Sequence, residues 1–80
     1  MRQAYDEARQ RLSDNLRKAR AKVGLSQEAL ALHAGINRSY VGQIERGTGN
    51  PSLLVLVKLA ATLQLDVADL IKREKDERRR

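Results

Sequence analysis

Three glycines, Gly24, Gly35 and Gly47, divide the middle of the chain into two segments, each with room for one short helix. Ser26 opens the first segment as a capping hydroxyl, with Gln27 and Glu28 in the first turn, where the helix macrodipole favours an acid. Ala29, Leu30 and His33 follow, and then the turn Ala34-Gly35-Ile36. Gly35 suits that turn because no Cβ opposes a positive φ. Asn37 is a good N-cap for the next helix, whose apolar positions are Val41 and Ile44. Ala31, four residues before Gly35, is small enough to let the two helices approach closely. Ile36, Val41 and Ile44 are then expected to bury against Leu30. Arg38, Ser39, Gly42, Gln43 and Arg46 would form the exposed face.

The flanking segments are helical too. Tyr5, Ala8, Leu12, Leu16, Ala19 and Val23 recur in steps of three and four, which predicts one core-facing stripe on a first helix ending at Gly24. Thr48-Gly49-Asn50-Pro51 reads as a loop, since proline disfavours helix at Asn50. Ser52 caps a fourth helix with Leu53, Leu56, Leu59, Ala60 and Leu63 as its core stripe. Asp66 caps a fifth bearing Val67, Leu70 and Ile71. The expectation is an all-α, five-helix domain over residues 1–71 with an extended first helix. A charged tail, residues 72–80, would continue the fifth helix into solvent. With 80 residues there is no room for two separate cores.

Composition narrows the chemistry. Cysteine is absent, which excludes disulfides and thiolate metal sites. A lone His33 supplies neither a metal cluster nor a catalytic base, and no acids or bases converge. The expectation is therefore no enzyme, no metal and no cofactor. MRQAYDEARQ lacks the apolar core of a signal peptide. The longest apolar run, Leu53 to Val57, is far short of the ~20 residues of a membrane span. Those features predict a cytoplasmic protein without a membrane partner. The net charge is +6, but half of it lies in the last nine residues, so charge alone says little about a polyanionic partner.

The two short helices say more. A helix pair joined by a tight glycine turn is a helix-turn-helix, whose second helix enters the DNA major groove. Arginine, glutamine and serine on that helix are groove-reading types. The string Gly24-Leu25-Ser26-Gln27-Glu28-x-Leu30-Ala31, then Gly35-Ile36, Val41-x-x-Ile44-Glu45-Arg46-Gly47 and Pro51-Ser52-Leu53, resembles the phage repressor and Cro type of this domain. The resemblance spans roughly residues 12–71. It implies a repressor-like fold and double-stranded DNA as partner. Arg38, Ser39 and Gln43 would read bases, while Gln27, Tyr40, Arg46, Thr48 and Asn50 would contact phosphates. Gln27 would also brace the first residues of the third helix, and Arg20 would pair with Glu45. Short regulators of this kind include restriction-modification controllers, Cro-like proteins and antitoxins. No separate small-molecule domain is expected.

The fourth helix is apolar nearly all round, because Leu54, Val55 and Val57 lie off its stripe. Leu54 and Val57, with Leu65, Val67 and Ile71, are the expected interface of a homodimer on a two-fold operator. The alternative is an interaction module that uses the same residues to bind a protein such as a toxin.

Overall fold

Local caps set where each helix begins in the computed structural model, which describes residues 2–73. The helices are α1 (Arg2–Lys22), α2 (Gln27–Ala34), α3 (Arg38–Glu45), α4 (Leu53–Thr62) and α5 (Val67–Ile71). Ser26 Oγ accepts the Ala29 N–H at 3.0 Å, Asn37 Oδ1 that of Ser39 at 2.8 Å, and Ser52 Oγ that of Val55 at 3.2 Å. At α5 the Asp66 N–H donates to the Asp69 carboxylate at 2.9 Å. Gly35 takes φ 73°, and its N–H and that of Ile36 donate to the carbonyls of Leu32 and Ala31. No strand occurs among the described residues, and the all-α, helix-turn-helix architecture is the one expected.

Each helix contributes to one core. Leu12 and Leu16 come from α1, Leu30, Ala31 and Ala34 from α2, Val41 and Ile44 from α3, Leu59 and Ala60 from α4, and Leu70 from α5. Leu63, just past α4, completes it. The long α1 lies across α3 and α5, while α2 packs on α3 and α4.

Three expectations about packing change. The first helix is the extended one expected, 21 residues from Arg2 to Lys22, but the two ends of its apolar stripe overhang the core, so Tyr5 and Val23 are exposed. Leu53 leaves the stripe of α4 and is 69% exposed, while Val55 packs against the core. At about 100° per residue, positions 55, 56, 59, 60 and 63 form one face and Leu53 lies about a quarter-turn from its centre. The third change concerns the tail. Lys72 leaves the helix in an extended conformation, so α5 does not continue through it, and residues 74–80 lie outside those described.

A helix of five residues cannot satisfy its own last carbonyls. Here α1 does so: Arg11 Nε donates to Ile71 O at 2.9 Å, and Asn15 Nδ2 to the carbonyls of Leu70 and Lys72 at 3.0 and 2.9 Å.

Candidate nucleic-acid interface

The carboxyl end of α3 is fastened by one residue. Glu45 is buried, with 4% of its side chain exposed, and its carboxylate takes a two-point bridge from Arg20, Nε to Oε2 at 2.6 Å and Nη2 to Oε1 at 3.0 Å. Gln27 Nε2 adds a bond to Oε1 at 2.9 Å. The backbone carbonyl of Glu45 accepts from Ser13 Oγ and Arg17 Nη1, each at 2.7 Å. Arg20 also reaches Leu25 O at 2.8 Å, which ties in the approach to α2. Burial would push the Glu45 carboxyl up. The hydrogen bonds from Arg20 and Gln27 and the charges of Arg20 and Arg17 outweigh it and hold the carboxyl below its ordinary value. Arg20 is raised in turn, chiefly by its hydrogen bond to Glu45, against the opposing effect of burial.

Gln27 therefore braces the end of α3 and not its start, a correction to the sequence expectation. Its short reach from the first turn of α2 meets the carboxylate that Arg20 has already positioned. Ser13 and Arg17 went unnoticed in the sequence. Ser13 falls between Leu12 and Leu16 on the buried side of α1, and a serine there was the one available signal.

With its inner half held, α3 turns Arg38, Ser39, Gln43 and Arg46 outward, all exposed. Arg38 Nε lies 4.0 Å from a Glu28 carboxylate oxygen, with both side chains mostly in solvent. Tyr40 is half-buried against the core, and Asn50 is exposed. Thr48 commits both its donors to Gln43 O, N at 3.0 Å and Oγ1 at 3.2 Å. Those bonds hold the loop on α3, and a phosphate contact by the exposed Thr48 hydroxyl would exchange the one it makes to Gln43 O. Gly49 in that loop is buried against α3, where a Cβ would come within 3.5 Å of Gln43 Cβ and Ile44.

The helix-turn-helix family model matches residues 16–70, leaving out the first fourteen residues of α1 and the C-terminal end from Ile71 onward. The chain belongs to the helix-turn-helix family. Control protein C.SmaI of Serratia marcescens is 40% identical over 63 residues, covering 79% of this chain and 75% of that one. The regulator SlrR of Bacillus subtilis is 38% identical over 74% of this chain, which spans 40% of SlrR's length. The crystal structure of the restriction-modification controller protein C.AhdI from Aeromonas hydrophila superposes with TM-score 0.75 at 44% identity, covering 78% of this chain and 94% of that one. This helix-turn-helix chain is accordingly a DNA-binding transcription regulator. Among the described residues, no helix is long and apolar enough to cross a membrane.

Gly42 departs from the expected reading face, because it is buried. A Cβ there would meet Arg46 Nη1 at 3.2 Å, with Gln27 Oε1 at 3.9 Å. The guanidinium of this helix-turn-helix arginine thus folds over the bare backbone beside Gln27. Gly42→Ala should raise stability by about 0.5–1 kcal/mol, since a mid-helix glycine is replaced and only a flexible arginine tip must move. The same change should weaken binding to any duplex, by displacing Arg46. Thermal melting and binding to random-sequence DNA check the two halves; a variant that is more stable and binds as before would show Arg46 to be idle.

The five apolar residues expected at a dimer interface divide into two groups. Leu54 is 61% exposed, Val57 46% and Ile71 40%, whereas Leu65 and Val67 are half-buried against the protomer's own core. Leu65 and Val67 lie at the junction of α4 and α5, where the turn between the helices and not a sequence period decides which side chains meet the core.

Proposed function

We propose that the regulator acts as a homodimer on a two-fold symmetric operator, reading each half-site with Arg38, Ser39 and Gln43. Gln27, Tyr40, Arg46 and Asn50 contact phosphates and set the register; Gln27 does so with its second amide proton, the first being given to Glu45. The observation that carries this reading is the rigidly clamped α3, apolar half in the core and groove-reading side chains outward. Selection from a random duplex library at about 150 mM salt, near physiological ionic strength, tests it. A palindromic consensus is expected, and enrichment without a consensus would leave a non-specific binder.

Leu54 and Val57, with Leu53 beside them, form the exposed apolar side of α4 that a second copy would cover. Val57→Glu should yield a monomer by sedimentation. Its operator affinity should fall roughly 10²- to 10⁴-fold, because each half-site is then bound without the other's help. A dimer that survives the glutamate would move the interface elsewhere. The same leucines favour the alternative of a protein partner, which a wild-type monomer in solution would support.

A further inference from the structure

We infer that Asn37 fixes the hydrogen-bonding polarity of Ser39, so that Ser39 meets the major groove as an acceptor and selects a base offering an amino group, N6 of adenine or N4 of cytosine. The inference rests on the proposed reading role of α3 and specifies its chemistry at one position.

Two bonds converge on one atom. Asn37 Oδ1 accepts the Ser39 backbone N–H at 2.8 Å as the cap of α3, and it accepts the Ser39 hydroxyl at 2.7 Å. The capping bond settles the orientation of the amide, since an N–H requires the oxygen and not the NH₂. A serine hydroxyl has a single proton. With that proton held by Asn37, two lone pairs remain. Ser39 is exposed, so those lone pairs are what it can offer outward.

In the major groove guanine shows only the acceptors N7 and O6, and thymine only O4 and its methyl. An acceptor-only Ser39 gains no hydrogen bond from either. Adenine N6 and cytosine N4 are donors and do match. Donating to N7 or O6 instead would require breaking the short bond to Asn37. The neighbouring Arg38 has the opposite character, five donors and no acceptor, and is matched to guanine. Consecutive residues of α3 thus present a donor and then an acceptor. Asn37 is a positioning residue in this scheme, because it acts on DNA only through Ser39.

Random-library selection on four proteins tests the inference: the wild type, Ser39→Ala, Asn37→Gly and Asn37→Asp. Glycine is itself a serviceable N-cap, so Asn37→Gly should fold, and circular dichroism checks each variant. The wild type should enrich adenine or cytosine roughly three- to tenfold at one position per half-site, about what one net hydrogen bond supplies. Ser39→Ala should flatten that position alone. Asn37→Gly frees the hydroxyl to rotate, and guanine and thymine should then enter the same position. Asn37→Asp keeps an oxygen in place and should restore the adenine or cytosine preference, at lower affinity for every sequence. A wild-type preference for guanine or thymine that Ser39→Ala abolishes would overturn the inference, as would an Asn37→Gly profile identical to the wild type. Absence of any wild-type consensus is a separate result, one that removes base reading by α3 altogether.

Discussion

Arg20→Ala is expected to remove up to about 3–5 kcal/mol of folding stability, the range for a buried pair that loses one partner, with the 21% exposure of Arg20 drawing the loss toward the lower end. The change strands a carboxylate whose side chain is 4% exposed, leaving Gln27 as the remaining side chain bonded to it. A chain of 80 residues has a total of only about 4–12 kcal/mol to lose, at ~0.05–0.15 kcal/mol per residue. Urea unfolding should therefore show a midpoint shifted far toward zero denaturant with the slope unchanged. A loss under about 1 kcal/mol, as for exposed ion pairs, would mean that water reaches the bridge. The same pair predicts a pH dependence. Glu45 is lowered when folded, so its contribution is complete above the ordinary glutamate value of about 4.3 and is lost as pH falls through the lower folded value. Arg20 is raised, so its contribution is complete at every pH below its ordinary value and adds no acid-side loss. In Arg20→Ala the extra acid sensitivity assigned to Glu45 should shrink, which a pH series of unfolding curves would reveal.

Arg38→Ala should have the largest effect on DNA. A two-point arginine contact to guanine is worth about 1–3 kcal/mol, and a dimer loses it twice, so operator binding should weaken by roughly 2–6 kcal/mol. The Glu28 carboxylate at 4.0 Å does not withhold the arginine, because a pair this exposed contributes little. Fluorescence anisotropy on the selected operator and on a scrambled duplex separates the effects. Specific binding should collapse while scrambled binding falls only slightly. Equal losses on both would reduce Arg38 to a phosphate contact, the behaviour expected of Arg46→Ala, which should also flatten the salt dependence by about one unit per protomer.

How much of this the sequence disclosed depends on how local each signal is. The caps at Ser26, Asn37 and Ser52 were legible because an N-cap acts on an N–H two or three residues away. Gly35 was legible for the same reason. The Glu45 fastening was half legible: Arg20 and Glu45 stand out by charge and by family resemblance, whereas Ser13 and Arg17 bond a backbone carbonyl 28 to 32 residues away. No residue type advertises a carbonyl's partner; only the crossing of α1 over α3 decides it. Gly42 was misread because a helix-surface position was equated with an open one, although a neighbouring arginine lies over it. Leu53 was misassigned for lack of contrast, since the all-apolar run from Leu53 to Val57 carries no period from which to choose a face.

The bonds that α1 makes along its length have a geometric consequence. Arg11 and Asn15 grip the end of α5, and Ser13, Arg17 and Arg20 grip the end of α3, all within three turns of one continuous helix. In the proposed dimer, closed through α4 and α5, this helix would be the crossbar of a pair of callipers. It would set the gap between the two reading heads, so the number of base pairs separating the half-sites would follow from residues of α1 that lie outside the proposed reading face.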